Sequence, residues 1–248
     1  MIITTTPEIA DKDVTWTSSY TNIATVSSLG VVTGITVGQA TIKATSIFNS
    51  DILATIDVVV NPIPVGDIIS FAGRDWRVLA SESNRVKILS VDIIETRPFH
   101  NISEPFYWAS SEMRAYLNST FLNRFNETDR ARIVETTITN PNNQWYNTSG
   151  GANTEDRIFL LCIEEVVRYF GDSGQLAAGP QRYSNSLSDK YNFVRIANLL
   201  GTPTWWWLRS PGWDTFCAAS VNPYGNLYVM GSNSWNSYGV RPALWLQL

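Results

Sequence analysis

From residue 202 to the C-terminus the chain carries three charged side chains, Arg209, Asp214 and Arg241, yet holds six of its ten tryptophans. A stretch so poor in charge and so rich in large rings has to bury part of itself, because an apolar surface of that size left in water drives association. Gly212, Gly225, Gly231 and Gly239 interrupt it every few residues, which excludes a long helix and divides it into short hairpin-like pieces. Tyr, Asn and Ser are frequent among its remaining residues. A strand scaffold carrying loops of this mixture is the expected outcome.

The whole chain, 248 residues and 44% hydrophobic, is long enough to bury a core in one or two domains. Its apolar runs, such as Ile56–Val60 interrupted by Asp57, fall far short of the roughly 20 residues that cross a bilayer, so no direct membrane insertion is expected. Eighteen basic against twenty-two acidic side chains leave no positive footprint for nucleic acid or anionic lipid. Cys162 and Cys217 belong to no Cys-x-x-Cys pair or Cys/His metal spacing, and they do not identify a redox compartment. The first residues lack the basic and apolar regions of a secretory signal; an intracellular start, a virion protein or a trimmed chain all fit.

Residues 1–61 are rich in Thr, Val, Ile and Ser. Alternating runs such as Thr15-Trp16-Thr17-Ser18 and Ala40-Thr41-Ile42-Lys43-Ala44-Thr45 predict short half-buried strands, and Gly30, Gly34 and Gly38 suit the turns between them. Val14-Thr15-Trp16-Thr17-Ser18-Ser19, Ile23-Ala24-Thr25-Val26, Gly30-Val31-Val32-Thr33-Gly34, Gly38-Gln39-Ala40-Thr41-Ile42 and Ile56-Asp57-Val58-Val59-Val60, in that order, resemble the group 2 bacterial immunoglobulin-like domain. Members usually have a further strand or two ahead of the position of Pro7, so the resemblance implies a chain that starts inside the domain. Two prolines in Asn61-Pro62-Ile63-Pro64 make residues 62–66 a stiff linker.

In the second domain, residues 67–248, Ile68-Ile69-Ser70-Phe71, Trp76-Arg77-Val78-Leu79 and Val86-Lys87-Ile88-Leu89 predict a meander. Ser110 or Ser111 is placed to cap a helix whose Met113, Tyr116, Leu117, Phe121 and Phe125 form one apolar stripe. Further helices are expected over 128–134, over 163–170 with Gly171 as the stop, and over 188–200. Helices framed by strands make an α+β domain.

Several motifs then carry a second resemblance: Asp75-Trp76-Arg77-Val78-Leu79, Trp108-x-x-Ser111-x-x-Arg114, Asp156-x-x-Phe159-Leu160-Leu161, Trp206-Trp207-Leu208-Arg209-Ser210-Pro211-Gly212 and Gly239-Val240-Arg241-Pro242-Ala243-Leu244. The segment resembles a branch of the C-type lectin fold near the formylglycine-generating enzymes, some members of which are variable proteins diversified by retroelements. The resemblance implies an all-β immunoglobulin-like sandwich followed by an α+β C-type-lectin-like domain. It also implies a variable cassette over 212–239, in which Ala218, Ala219, Val221, Gly225, Leu227 and Gly231 are fixed and the residues between them vary.

Tyr and Trp offer large, stiff contact area, and Ser and Asn add adaptable hydrogen bonds, the mixture of antibody loops. The candidate ligand-binding residues are therefore Trp213, Asp214, Thr215, Phe216, Cys217, Ser220, Asn222, Tyr224, Asn226, Tyr228, Met230, Asn233, Trp235, Asn236 and Tyr238. Trp205, Trp206, Trp207, Leu244, Trp245 and Leu246 are expected in the core, with Arg209 and Arg241 as structural clamps. Catalysis has thin support. His100 has no second ligand or carboxylate at a useful spacing, Cys162 sits in an apolar strand-like run, and Glu164, Glu165 and Asp129 read as solvated helix faces. Val221-Asn222-Pro223 and Trp235-Asn236-Ser237 lack the carboxylates that calcium prefers. The expectation is a non-enzymatic binding protein without cofactor or metal, displayed on a phage virion or bacterial cell surface and engaging a protein or glycan. An inert virion-decoration protein and a formylglycine-generating-type enzyme are the alternatives.

Overall fold

The computed structural model describes residues 13–101, 104–179 and 185–248. The chain forms two units that divide between Pro64 and Val65, with Ser81–Arg85 and Leu248 grouped with the first.

The described part of the first unit is all β: β1 (Val14–Ser18), β2 (Ala24–Val26), β3 (Val32–Gly34), β4 (Gly38–Ser46) and β5 (Leu53–Val60). β4 is the centre of an antiparallel sheet ordered β1-β4-β5, and β2 pairs with β3. The alternation expected from the Thr/Val-rich runs is realised in β4, where Ala40, Ile42 and Ala44 point inward and are buried. Gly30 is required at its turn: its φ is +78°, and a Cβ there would lie 2.7 Å from the Trp16 ring. Met1–Pro7, on which the expectation of a missing leading strand rests, lies outside the described residues.

Strands also dominate the second unit, with a few short helices among them. Its strands are β6 (Ile68–Phe71), β7 (Arg74–Ser81), β8 (Arg85–Ser90), β9 (Glu95–Pro98), β10 (Ile133–Val134), β11 (Thr136–Ile138), β12 (Thr154–Asp156) and β13 (Ile158–Phe159). Beyond them come β14 (Asn198–Leu199), β15 (Thr202–Pro203), β16 (Trp206–Pro211), β17 (Cys217–Val221), β18 (Leu227–Asn233), β19 (Ser237–Val240) and β20 (Ala243–Gln247). The helices are α1 (Glu112–Tyr116), α2 (Glu127–Ala131), α3 (Ile163–Phe170), α4 (Gln175–Ala178) and α5 (Asn192–Arg195). One sheet runs β10-β20-β8-β7-β6, with β13 also on β20; the other runs β18-β17-β16-β19-β9. The C-terminal strand is thereby built into the sheet of the expected β6–β8 meander.

Ser111 caps α1, its Oγ accepting from the Arg114 amide at 3.2 Å. The helical run continues as a π turn over Leu117–Phe121 and a tight turn over Leu122–Arg124, keeping the expected stripe of Met113, Tyr116, Leu117, Phe121 and Phe125 buried. α3 has the expected bounds and ends at Gly171, whose φ is +124°. Cys162 is its N-cap residue rather than part of a strand. Two expectations differ. The helix expected over 128–134 ends at Ala131, because Ile133 and Val134 pair with Leu246 and Trp245 of β20. Over 188–200 only Asn192–Arg195 is helical: Asn192 Oδ1 accepts from the Asp189 amide and Asp189 Oδ1 from the Tyr191 amide, bonds that favour a turn, and the chain then reverses through Leu200 and Gly201, both at positive φ. No helix among the described residues is long and apolar enough to cross a membrane.

Candidate ligand-binding surface

Four devices hold the 205–241 segment. Arg209 is buried and donates to the carbonyls of Leu160 (2.6 Å) and Thr139 (2.9 Å), to Asn140 Oδ1 (3.2 Å) and to Glu165 Oε2 (2.5 Å). Asn143, 1% exposed, donates from its amide to the carbonyls of Pro211, Gly212 and Val229, tying β16 to β18 across the intervening strand. At the crossing of these backbones Gly212 and Gly231 touch: a Cβ on Gly231 would lie 2.7 Å from the Gly212 Cα and from the Ala218 carbonyl. Arg241 is likewise buried, with Nε donating to the Ser90 carbonyl (2.9 Å) and the guanidinium over the Trp206 ring. Burial, with Arg77 nearby, pulls its pKa down to about 9.

The fixed positions implied by the resemblance, Ala218, Ala219, Val221, Gly225, Leu227 and Gly231, are all buried. Along β18 burial alternates, with Leu227, Val229 and Gly231 inward and Tyr228, Met230 and Ser232 outward. Across the strands Tyr228 faces Ser220, Ser220 faces Trp207, and Gly239 on β19 pairs with Trp206. One sheet face therefore carries Tyr228, Trp205, Trp207 and Tyr238. The Trp205 ring meets Tyr228 edge-on at 5.7 Å and stacks on Tyr238 at 5.1 Å, and Tyr238 lies 4.5 Å from Trp207. Tyr146 adjoins Tyr228; burial and that neighbour raise its pKa. Trp207 is sealed beneath, its indole donating to the Arg97 carbonyl, while Trp205, Tyr228, Tyr238 and Met230 stay half-exposed.

The other candidates separate toward the two ends of the β17–β18 hairpin. At the end where β17 starts and β18 finishes, Trp213 and Trp235 are exposed at 51% and 47%, alongside Asp214, Thr215, Phe216, Asn233 and Asn236. Backbone bonds from Trp213 to Met230 (2.8 Å), from Phe106 to Thr215 (2.9 Å) and from Ser234 to Phe216 (3.2 Å) fix these loops. At the opposite end the turn holds Asn222, Tyr224 (77% exposed) and Asn226, the last bonded to Asn192.

Three assignments need correction. Cys217 and Ser220 lie on β17, which pairs with β16 and β18, and are 4% and 0% exposed; neither is available to a ligand. Burial pushes the Cys217 thiol up to about 12, with Asp214 adding to it. Trp205, expected in the core, is instead a half-exposed member of the aromatic face. Its position at the mouth of β16, next to a run of genuinely buried tryptophans, concealed this.

Away from this face, Glu165 is not a solvated helix residue. Its carboxylate takes Arg209 and Lys87 (2.9 Å) and the Cys162 amide (3.0 Å). Burial works against its ionisation, but the two cations prevail and hold its pKa at about 2. Burial raises the Cys162 thiol to about 11, an unreactive range. His100 packs on Phe106 and its Nδ1 accepts from the Glu112 amide. Among the described residues no three His, Cys, Asp or Glu side chains are grouped to hold a metal.

Comparison with known proteins matches residues 2–51 to the bacterial Ig-like domain (group 2) and residues 83–248 to a family described as a domain of unknown function, DUF6273. A stretch of 56 residues, 22% of this chain, is 46% identical to 3-O-alpha-D-galactosyl-alpha-L-arabinofuranosidase of Bifidobacterium longum subsp. longum. The chain spans only 5% of the length of that curated relative. Since the second match covers more than half of the chain, the protein belongs to the DUF6273 family and carries a group 2 bacterial Ig-like domain ahead of it.

Proposed function

We propose that this chain is a non-enzymatic binding protein in which the Ig-like unit acts as a spacer for a C-type-lectin-like domain. The half-exposed face of Trp205, Tyr228, Met230 and Tyr238, with Trp213, Phe216 and Trp235 at one end, engages a ligand on a cell surface. The protein acts on a phage virion or a bacterial surface, by shape and surface complementarity. The observation that carries this reading is the alternation of β18. Inward positions are small or aliphatic and closely packed, whereas the outward ones, Tyr228, Met230 and Ser232, can change without touching the core. Outward positions of this kind suit a diversified cassette over 212–239, although Cys217, Ser220 and Val229, which the resemblance leaves variable, are buried; we include retroelement diversification in the proposal. A reverse-transcriptase gene beside a near-copy of this coding segment differing at adenines is the expected genomic finding; its absence removes the diversification.

The binding claim is tested by replacing Trp213, Tyr228 and Trp235 together with serine and measuring attachment of labelled protein to a panel of intact bacteria by flow cytometry. The expected result is loss of attachment with the unfolding midpoint within a few degrees of the parent. Unfolding of the variant assigns these rings to the core, and undiminished attachment removes the reading.

A further inference from the structure

We infer that the loop Asn143–Thr148, which lies outside residues 212–239, fixes the position of Trp213 through the main chain, with Thr148 as the positioning residue. The inference rests on the binding reading of the surface and adds how one exposed end of it is held.

Three successive carbonyls, those of Pro211, Gly212 and Trp213, are taken by two side chains of this loop. Asn143 Nδ2 donates to Pro211 (2.9 Å) and Gly212 (3.2 Å), and Thr148 Oγ1 donates to Trp213 (2.8 Å). The Trp213 amide donates in turn to the Met230 carbonyl at 2.8 Å. Both main-chain polar groups of Trp213 are therefore engaged, while the residue stays 51% exposed. The loop is itself closed. The Asn143 amide donates to the Thr148 carbonyl (2.9 Å), the Asn147 amide to the Asn143 carbonyl (2.7 Å), and the indole of the buried Trp145 to the Leu176 carbonyl (3.3 Å).

Among the described residues, every hydrogen bond from this loop to the 211–239 segment ends on a main-chain carbonyl and none on a side chain. Other bonds that reach this end of the hairpin behave alike, from the Phe106 amide to the Thr215 carbonyl (2.9 Å) and from the Phe99 amide to the Ser234 carbonyl (2.8 Å). A main-chain carbonyl is present whatever residue stands at a position, so the mount does not depend on the side chain at 213. The opposite end is built differently, since Asn192 Nδ2 bonds to the Asn226 side chain. An exposed ring whose backbone is already held in the free chain loses little freedom when it makes contact, and Thr148 acts by lowering that ordering cost.

The test uses the full chain. Amide hydrogen exchange at residue 213 is read by NMR in the parent, Thr148→Val, Trp213→Ser and the double variant. Thr148→Val is expected to speed that exchange about three- to tenfold, the worth of one hydrogen bond, and by the same factor with Trp or Ser at 213. In flow cytometry on the panel of intact bacteria, Thr148→Val is expected to need about three- to tenfold more protein for half-saturation than the parent. Thr148→Ser, which keeps the hydroxyl, restores attachment to within about twofold, and both variants keep the unfolding midpoint within a few degrees. Exchange at 213 that ignores Thr148→Val, or responds only with Trp in place, overturns the inference. Unchanged attachment of Thr148→Val beside faster exchange overturns it too, as does failure of Thr148→Ser to restore attachment; the binding reading survives each of these results. Undiminished attachment by the triple serine variant brings down the binding reading and this inference with it.

Discussion

Glu165 shows what a single residue owes to distant chain. The spacing of Ile163, Val166, Val167 and Phe170 identifies the buried side of α3, and Glu165 stands beside that side with nothing local to mark it as different from Glu164. Its partners, Lys87 and Arg209, come from other strands, and Lys87 is itself ringed by Phe159, Tyr169 and Trp245. A carboxylate whose pKa is lowered on folding contributes stability above its unfolded value, near 4.5, and the contribution is lost as pH falls toward about 2. The shift corresponds to roughly 3 kcal/mol. Thermal unfolding measured from pH 5 to pH 2 is expected to show this loss, and Glu165→Gln is expected to be less stable at pH 6 and to show a flatter profile. Asn143 is a second such residue. Asn143→Ala strands three backbone carbonyls and is expected to cost about 2–4 kcal/mol in urea unfolding. Its sequence neighbourhood, Asn-Pro-Asn-Asn-Gln, reads only as loop.

Among the elements, β18 shows how burial can alternate with the period of a strand where the sequence does not, since Leu-Tyr-Val-Met is apolar throughout yet only Leu227 and Val229 turn inward. The phase separates two neighbouring substitutions. Val229→Ser leaves a cavity and a buried hydroxyl and is expected to cost about 2–4 kcal/mol, whereas Tyr228→Ser is expected to stay within about 1 kcal/mol. Equal costs by chemical denaturation would mean that the outward face is core. Gly231→Ala is expected to be at least as damaging as Val229→Ser, because it adds a Cβ at φ +78° where the Gly212 backbone crosses. That crossing joins residues on different strands, so the sequence shows four glycines and not which of them touch. The region 188–200 was misread for a related reason. Its composition tolerates a helix, but the Asp189 carboxylate takes the Tyr191 amide and the Asn192 side chain takes the Asp189 amide, and the reversal at Leu200–Gly201 depends on strand pairing with Thr202–Pro203.

For the molecule as a whole, the two units are compositionally different, and nine of the ten tryptophans lie in the second, leaving Trp16 alone in the first. Ile42→Ala, which opens a cavity in the first unit, is expected to destabilise that unit by about 3 kcal/mol in far-UV circular dichroism. The main tryptophan-fluorescence transition, which reports the second unit, is expected to move little; a shift of equal size would show that the units unfold together. By itself the sequence determined the strand-rich first unit, the proline joint, α1 and α3, because each is a local consequence of periodicity, capping or a fixed φ. Only the tertiary structure decided that β17 lies between two strands and buries Cys217 and Ser220. It alone divided the candidate residues between the two ends of a hairpin and exposed Trp205. Those are facts of strand order, and strand order depends on which distant segments pair, which no local pattern encodes.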